Sequence, residues 1–450
     1  MAGKPTELQA VADLIRLGIT PTMSVIPLFQ ASRKKHNLDT TKLFSLALGL
    51  QEPWYVSDVS FDAAAKTLTL NVDFRVGSRF AHPEAEGLHP VHDTVTKSLR
   101  HLNFFQHECY LEVRIPRVEL PNGSVRQSEP EWVGKLDGFT LLFEAFVLAF
   151  AREMTFTAIA ELLNISVHRV MAICRKYVDV AVAQADYSEV HAVAVDETSR
   201  ARGHDYVTLV ADSERRAVIF VTEGKDADAI KSFATDLAAH NGDPGDIESV
   251  SIDMSPAFIK GTTESLPNAR ITFDKFHVIK HASEAIDKMR RIEQKSDPEL
   301  KGMRWKLLRN YDSLSREDRG EMDRLIAQLS VKRTARAWSY REQLREILNR
   351  KQINVVSTML SQWCTNVMRS KVDPMKDVAR MIRNHFDGVV AWSQTQQTNG
   401  FLEAINGLFQ AAKRSARGYV RFSTIRTVIF LRLGKLDFTK INPYIQSLPT

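Results

Sequence analysis

The sequence predicts a mixed α/β protein, in which a small β-rich module and a pair of short helices precede a larger α/β domain. Apolar and polar residues alternate in 54–76, which is typical of strands. Apolar residues in 153–178 recur at the spacing of amphipathic helices, and from residue 190 onward short apolar runs alternate with helical segments. The 450 residues are enough for several domains of about 150 residues each.

Charge and cysteine content narrow the class of protein. Sixty Lys and Arg against 54 Asp and Glu give a net charge of +6, which is compatible with nucleic acid binding without establishing it. The basic excess is concentrated in 401–450. The three cysteines have no CxxC spacing, which argues against disulfides and a cysteine-rich zinc site and fits a reducing cytosol. We find no signal peptide and no apolar run of about 20 residues, so we expect a cytoplasmic protein with no membrane association.

Two short amphipathic helices around a tight turn are expected in 153–178, with the turn at 164–166. Ser166 can cap the second helix. This is the helix-turn-helix pattern of DNA-binding proteins, although a plain helical hairpin has the same spacing. The DNA-contacting candidates of this segment are Ser166, His168, Arg169 and Arg175.

The α/β part begins with three apolar strands, in 191–198, 205–214 and 217–224, which are joined by short turns. Helices and strands then alternate as far as residue 281. Three antiparallel strands followed by alternating helices and strands suit the ribonuclease H-like fold. The next stretch, 282–395, is helical and rich in charged residues, so we predict an all-helical insertion in this fold. Its tryptophans at anchoring positions, which make it a candidate for subunit assembly, are Trp305, Trp338 and Trp363.

Two acids stand out because each ends an apolar strand. Asp196 follows AVAV and Asp253 follows VSI. A carboxylate at the end of a buried strand is unfavourable unless it is paired or binds a cation, and a single acid of this kind is often only a turn or helix cap. Neighbouring strands that both end in Asp would form an acidic pocket that suits Mg²⁺, and paired ions suit phosphodiester chemistry.

A third acid, Glu403, lies on a helix predicted for 398–416. Asn399, Asn406 and Gln410 share its face at helical spacing. Polar faces of this kind occur on many solvent-exposed helices, so the spacing leaves the role of Glu403 open.

Three further residues near the strand ends are considered for metal binding or for contact with the substrate. Asp274 also ends a strand and is the main rival of Glu403. His277 is a candidate for contacting a phosphate or a water molecule, or is a helix-start residue with satisfied hydrogen bonds. Glu197 would point to the strand face opposite Asp196, so we do not expect it to bind metal.

Three long segments resemble the transposases of the ISL-three family of bacterial insertion sequences. They are AVDETSRARGHDYVTLVAD, SIDMSPAFIKGTTESLPNARITFDKFHVIKHASEAIDKMRR and QTQQTNGFLEAINGLFQAAKRSARGY, and the likeness covers roughly Phe44 to Leu436. It implies a DDE catalytic triad of Asp196, Asp253 and Glu403 that binds divalent metal, Mg²⁺ or Mn²⁺. It also implies binding of the element's terminal inverted repeats by the N-terminal region.

One module departs from the family pattern. The family carries a zinc ribbon with two CPxCG-like pairs, whereas this chain has His-Pro-Glu-Ala at 82–85 and Leu-Pro-Asn-Gly at 120–123. His82 and His89 cannot form a four-ligand structural site by themselves. We therefore expect no zinc and a β module that is held together by apolar packing.

The resemblance implies an enzyme that uses two metal ions to cut DNA and to join the freed 3′-OH to target DNA. Synapsis of two transposon ends implies a homodimer or larger assembly. The resemblance also implies that the protein acts in the bacterial cytoplasm, in association with the nucleoid. Two alternatives stay open: a domesticated, inactive DNA-binding regulator, and a ribonuclease H-like nuclease that cuts without joining. Basic candidates for gripping the DNA backbone, which also fit a solvated surface, are Lys413, Arg414, Arg417 and Arg421.

These inferences divide the chain into six regions. The expected regions are 1–76, an N-terminal helical and strand region; 77–138, a degenerate zinc-ribbon-like β module; 139–185, the helix-turn-helix; 186–281, the first part of the catalytic core; 282–395, the helical insertion; and 396–450, the Glu helix and a basic C-terminal region.

Overall fold

The computed structural model describes residues 39–201, 205–329, 331–395, 404, 407, 409–411, 413–414 and 421–447. The described chain forms two compact units, which divide between Glu131 and Trp132.

The first unit is built on a six-stranded sheet that follows a short helix, α1 (Thr40–Ala47). The strands are β1 (Trp54–Asp62), β2 (Thr67–Phe74), β3 (Arg79–His82), β4 (Ala85–Phe104), β5 (His107–Glu119) and β6 (Val125–Gln127). Their spatial order is β1-β2-β5-β4-β3, and β6 pairs with the end of β5. β2 runs parallel to β5, and the other pairs are antiparallel. One sheet therefore spans the boundary that we placed between residues 76 and 77, because β2 pairs with a strand beyond it.

Alternation along the central strands explains which face of this sheet is buried. Leu68, Leu70 and Val72 on β2 are buried, and the residues between them are only partly so. β5 repeats the pattern with Val113 and Ile115. Successive side chains of a strand point to opposite faces, so every second residue lines the core.

Aromatic packing lies beside the two turns that would carry the family's cysteine pairs. The rings of Trp54, Phe74 and Phe80 contact one another, with centroids 5.0 to 5.5 Å apart. An ion pair of 3.0 Å joins Arg126 on β6 to Glu84 in the first turn. Apolar contacts and this ion pair hold the two turns close together.

The second unit starts with three helices, continues through a five-stranded sheet, and ends in helices. The first helices are α2 (Leu141–Ala151), α3 (Phe156–Leu163) and α4 (Val167–Ala183). The strands are β7 (Ala192–Ala201), β8 (Asp205–Asp212), β9 (Ala217–Glu223), β10 (Ser249–Ile252) and β11 (Arg270–Phe273). The helices between and after the strands are α5 (Ala227–Ala239), α6 (Pro256–Ser265), α7 (Lys275–Glu293), α8 (Arg304–Leu308), α9 (Arg316–Ile326), α10 (Arg333–Leu348), α11 (Ile353–Met368), α12 (Asp373–Asn384), α13 (Phe386–Thr395) and α14 (Phe422–Leu433). Short 3₁₀ turns occupy Pro244–Asp246, Pro298–Leu300, Tyr311–Ser313 and Pro443–Ser447.

The strand order of the second sheet is β11-β10-β7-β8-β9. β7, β8 and β9 form an antiparallel meander, and β10 and β11 run parallel to β7. The five strands lie where the sequence predicts them. A parallel connection needs a crossover, and helices α5 and α6 supply those crossovers.

The helices of 282–395 share one hydrophobic core with this sheet. Val195 and Ile252 on the strands belong to the same buried cluster as Trp338 and Trp363. Trp305 differs, because 67% of it is exposed. Two of the three tryptophans therefore anchor helices, and the third faces solvent.

No single helix within the described ranges is long and apolar enough to span a membrane. α3 and α4 reach that length and composition only as a pair, and the pair is bent by 117° at its break.

A buried carboxylate joins three parts of the second unit. The Glu144 side chain on α2 is inaccessible to solvent and accepts hydrogen bonds from the backbone N–H groups of Lys135 and Leu136, at 2.8 and 2.7 Å. It also accepts one from the Tyr177 hydroxyl on α4, at 2.7 Å. Asn442, near the C-terminus, donates to that hydroxyl oxygen at 2.9 Å. Burial raises the pKa of Glu144, although the hydrogen bonds oppose the shift.

We expect Glu144→Leu to lower the free energy of unfolding by about 2–5 kcal/mol, because it leaves the buried Tyr177 hydroxyl and two backbone N–H groups without their acceptor. Tyr177→Phe removes only one of these donors and should cost about 1–2 kcal/mol. Urea titration followed by circular dichroism measures both values. Equal stability of Glu144→Leu and wild type would show that this network does not hold the unit together.

Candidate functional site

Three aspartates lie at one level across adjacent strands of the second sheet. Asp196 lies within β7, Asp253 directly follows β10, and Asp274 directly follows β11. The parallel registers of β10 with β7 and β11, continued past Ile252, set Asp253 beside both of the others. Residues at one level of neighbouring parallel strands point to the same face, so the three carboxyl groups share one face of the sheet.

The three acids all accept a local backbone hydrogen bond, but they differ in burial and in their position relative to a helix. An oxygen of Asp196 accepts from the next backbone N–H at 2.8 Å, and one of Asp253 accepts from the N–H two residues on at 2.9 Å. Both residues are half-buried. Asp274 is only 2% exposed and caps helix α7, because its side chain accepts from the N–H of Phe276 at 2.7 Å. Asp274 therefore differs from the other two in its deeper burial and in its position as the N-cap residue of a helix.

Glu197 is a member of this acidic neighbourhood. Burial raises the pKa of Glu197, and the charge of Asp253 raises it further, while Lys225 opposes the shift. The Lys225 amine lies 3.7 Å from the Glu197 carboxylate and 3.9 Å from the centre of the Tyr206 ring. Sequence reasoning missed Lys225, which stands just after β9; its position opposite the end of β7 depends on strand pairing.

His277 lies in the first turn of α7, close to the same acids. Burial lowers the pKa of His277, and the charges of Asp274 and Asp253 oppose that shift. Its Nε2 atom is buried and has no hydrogen-bond partner within the described chain. The imidazole therefore stands at the edge of the acidic site with one nitrogen unsatisfied.

The third predicted ligand lies outside the described residues. This ligand is Glu403, and Asn399, Asn406 and Arg417 also lie outside the described residues. Among the described residues, no group of three or more His, Cys, Asp or Glu side chains is arranged to hold a metal ion. Of the predicted triad, Asp196 and Asp253 lie within the described residues. Their carboxylates are ligands of the kind that a hard divalent cation prefers.

Described residues that follow Glu403 in the chain reach the strand of Asp196. The Gln410 amide donates to the Thr198 hydroxyl at 2.9 Å, and the Lys413 amine donates to the Ser199 carbonyl at 2.8 Å. Both residues are helical. This segment therefore packs against β7 two to three residues beyond Asp196. Lys413 contacts protein here, whereas Arg414 and Arg421 are exposed.

Helices α3 and α4 meet at a sharp angle, with Asn164 in the left-handed conformation at the turn. Ser166 caps α4 as predicted, since its hydroxyl accepts from the N–H of Arg169. The apolar residues at helical spacing in this pair are buried, apart from the half-buried Ile165; they are Phe156, Ile159, Ala160, Leu163, Val170 and Ile173. Two helices at about 90–120° joined by such a turn are the geometry of a helix-turn-helix.

The predicted DNA-contacting residues of α4 differ in their contacts. His168 is exposed. The Arg169 guanidinium lies 4.2 Å from the centre of the Phe139 ring and donates to the Asp137 carbonyl. Arg175 donates to the Ser423 hydroxyl on α14 at 3.2 Å. Both arginines therefore make intramolecular contacts that sequence spacing could not reveal.

Comparison with known proteins identifies the family. A family model described as "Transposase", of the ISL3 type with a DDE domain, matches residues 193–429, which is more than half of the chain. A second, described as "Helix-turn-helix domain of transposase family ISL3", matches residues 129–178. The chain belongs to the ISL3 family of transposases. A DDE transposase domain preceded by a helix-turn-helix implies DNA binding and DNA transposition.

Curated relatives agree with the ISL3 assignment. The chain is similar to the "Transposase for insertion sequence element IS1001" of Bordetella parapertussis, with 25% identity over 73% of this chain and 82% of the relative. It is also similar to the "Transposase for insertion sequence element IS1557" of two strains of Mycobacterium tuberculosis, with 25% identity over 71% of this chain and 78% of the relative. The family expected from the sequence motifs is confirmed.

Stability measurements should separate the aspartate that caps a helix from the one that does not. We expect Asp274→Ala to cost about 1–2 kcal/mol, because it removes the side-chain cap of α7. Asp253→Asn keeps an oxygen for its local hydrogen bond and removes one negative charge from the cluster. Its free energy of unfolding should stay within about 0.5 kcal/mol of wild type or rise. Greater loss of stability in Asp253→Asn than in Asp274→Ala would contradict this assignment.

Proposed function

We propose that this ISL3-family protein binds the terminal inverted repeats of a bacterial insertion sequence, cuts DNA at the element's ends and joins the freed 3′-OH to target DNA. The alignment of Asp196 and Asp253 across adjacent strands is the observation that carries the proposal. Cutting and joining are both displacements at a phosphodiester, with one oxygen entering as another leaves, so one site serves both. No covalent link between protein and DNA is needed.

We assign the catalytic acids to Asp196, Asp253 and Glu403. The shared sheet face supports the first two. The helical residues Gln410 and Lys413, which follow Glu403 in the chain and contact β7, support the third. The capping role of Asp274 supports leaving it outside the triad.

Carboxylates of this kind suit a divalent cation, and we propose Mg²⁺ or Mn²⁺ as the resident ion. A pair of bound ions would supply charge neutralisation at the phosphate that is attacked. Asp196, Asp253 and Glu403 would hold them. The buried, unpartnered Nε2 of His277 is suited to donate a hydrogen bond to a phosphate oxygen at the same edge.

Glu197 and Lys225 have a supporting role in this scheme. Their ion pair places a cation beside the acidic row. Lys225 is thereby suited to reduce the mutual repulsion of the acids before DNA enters.

End recognition is assigned to the helix-turn-helix. His168, at the exposed start of α4, is placed where recognition helices contact base edges. Arg169 would have to leave the Phe139 ring to reach DNA. Its side chain would therefore change conformation when the protein binds DNA. Arg414, Arg417 and Arg421 are proposed to contact the phosphate backbone. Binding of two ends implies a homodimer or larger assembly, acting at the nucleoid in the cytoplasm.

The strand order β11-β10-β7-β8-β9 supports a ribonuclease H-like catalytic core. On this assignment the helices of 282–395 are an insertion between the second Asp and Glu403. The six-region division of the chain remains our proposal, with the first two regions joined by one sheet.

Glu403→Gln should abolish cleavage of DNA that carries the element's ends and leave binding of those ends unchanged. The amide keeps the size of the side chain and loses the charge that holds a cation. Gel-shift and nicking assays on terminal-repeat DNA, cloned from the sequence flanking the gene, measure both properties. Normal cleavage would remove Glu403 from the triad, and loss of binding would show a misfolded variant.

Divalent cations should raise the melting temperature of wild type more than that of Asp253→Asn. A ligand that binds only the folded state stabilises it by RT ln(1 + [L]/Kd), or about 1.4 kcal/mol at ten times Kd. Thermal unfolding with MgCl₂ or MnCl₂, against equal ionic strength of NaCl, measures the shift. Asp274→Asn serves as the matched control and should keep the wild-type shift. Equal shifts in all three proteins would contradict the proposed site.

A further inference from the structure

Helix α7 carries a row of exposed charged residues that begins at the acidic site. His277 stands in its first turn, and Lys280, Glu284, Lys288 and Arg291 follow at spacings of three or four residues. Such spacings place side chains on one face of a helix. The four that follow His277 are exposed. At about 1.5 Å per residue, the row runs roughly 21 Å from His277 to Arg291.

The start of this row lies near Glu197 and His277, two neighbours of the proposed catalytic acids. The charge of Lys280 lowers the pKa of both Glu197 and His277, after the larger effect of burial in each. Lys280 therefore lies within electrostatic range of Glu197 and His277, which are both also affected by the charge of Asp253. The row is continuous with the catalytic site.

The far end of the row has an excess of positive charge. Asp287 accepts ion pairs from Arg290 and Arg291, at 2.7 and 2.8 Å, and lies 3.5 Å from Arg304 on α8. Burial by itself would raise the pKa of Asp287, but these guanidinium groups hold it below its usual value. One carboxylate facing three guanidinium groups leaves a net positive surface. Lys288 adds a further exposed cation with no ion pair to any residue that the structure describes.

An exposed aromatic ring borders the same surface. Trp305 on α8 is 67% exposed, and the guanidinium of Arg304 lies 5.0 Å from its ring. A groove of 360 Å³ lies between α7 and α8, and its charged lining consists of four cations and two acids: Lys280, Lys288, Arg291, Arg304, Glu284 and Asp287. Nucleic acid bases stack on exposed aromatic rings of this kind.

The element that carries Trp305 is held rigidly. Arg341 on α10 is 2% exposed and donates to the Leu307 carbonyl at 2.8 Å and to the Arg309 carbonyl at 3.3 Å. Its guanidinium thus fixes the C-terminal end of α8. The exposed face of α8 is therefore a preformed surface.

We propose that Lys280, Lys288, Arg291, Arg304 and Trp305 form a track for one DNA strand as it leaves the catalytic acids, distinct from the helix-turn-helix. The inference rests on the proposed function, because it takes the substrate of that site to be DNA. Phosphates follow one another at about 3.4 Å of axial rise on each strand, so the row spans about six nucleotides of a duplex. The cations contact phosphates and Trp305 stacks on a base.

The test uses the full-length protein and terminal-repeat DNA that extends past the cleavage position into flanking sequence. Lys288→Ala/Arg291→Ala should bind this DNA at least about ten-fold more weakly, with a salt dependence shallower by about two in log K against log [salt]. Trp305→Ala should weaken binding without changing that slope. A shorter duplex that ends at the terminal repeat should bind wild type and all variants equally.

Lys231→Ala/Arg380→Ala is the matched control. Lys231 is an exposed helical lysine on α5, and Arg380 is an exposed arginine paired with Asp377 within one turn, as Arg291 is with Asp287. This pair should leave both affinities at the wild-type value. Melting temperatures confirm that each variant is folded.

The outcomes separate this proposal from the proposed function. Equal binding of long DNA by the track variant and the control overturns the track and leaves the function standing. Failure of wild type to bind either DNA overturns both. A change in sedimentation of the track variant without a change in DNA affinity identifies the surface as a subunit interface and overturns the track.

Discussion

The second unit depends on one buried carboxylate. Glu144 receives two backbone N–H groups from the loop before α2 and the hydroxyl of Tyr177 from α4. Asn442 joins the same network from the other end of the chain, through Tyr177 and the Leu141 carbonyl. A buried charged group without partners would be strongly destabilising, so folding has to bring these segments together. The position of the helix-turn-helix follows from that requirement.

Close packing reinforces this constraint at Gly134. A Cβ atom built there would lie 2.6 Å from the Phe139 carbonyl and 2.7 Å from the Glu144 carboxylate. The loop that supplies the N–H donors can therefore approach the carboxylate only because residue 134 has no side chain. The ring of Phe139, in the same loop, also makes a cation–π contact with the guanidinium of Arg169. The loop that supplies hydrogen bonds to Glu144 therefore also contacts Arg169, a candidate DNA-contacting residue.

Local sequence patterns predicted the second sheet and the helix-turn-helix well. Strand ends at Asp196 and Asp253 could be found because each acid follows a run of apolar residues, and Ser166 because capping is a local preference. The rest depends on contacts between distant segments. Lys225 meets Glu197 only after β7, β8 and β9 have paired, and the pairing of β2 with β5 joins the regions on either side of residue 76 in one sheet.

The roles of the individual acids could not be assigned from residue patterns alone. Asp274 and Asp253 look alike in sequence, since each ends an apolar strand. The structure distinguishes them by burial and by the helix that Asp274 caps. Glu403 lies outside the described residues, so its place rests on the family motif and on the contacts of Gln410 and Lys413 with β7. Residue patterns alone did not establish it.

The C-terminal helix has a consequence for how the protein is made. Arg426 on α14 pairs with Asp179 of α4 at 2.7 Å, and Arg432 donates to the Met154 carbonyl just before α3. Because Arg426 and Arg432 follow their partners by 247 and 278 residues, the DNA-binding helices reach their final packing only after the intervening chain has been synthesised. A nascent or prematurely terminated chain would therefore lack a fully packed helix-turn-helix.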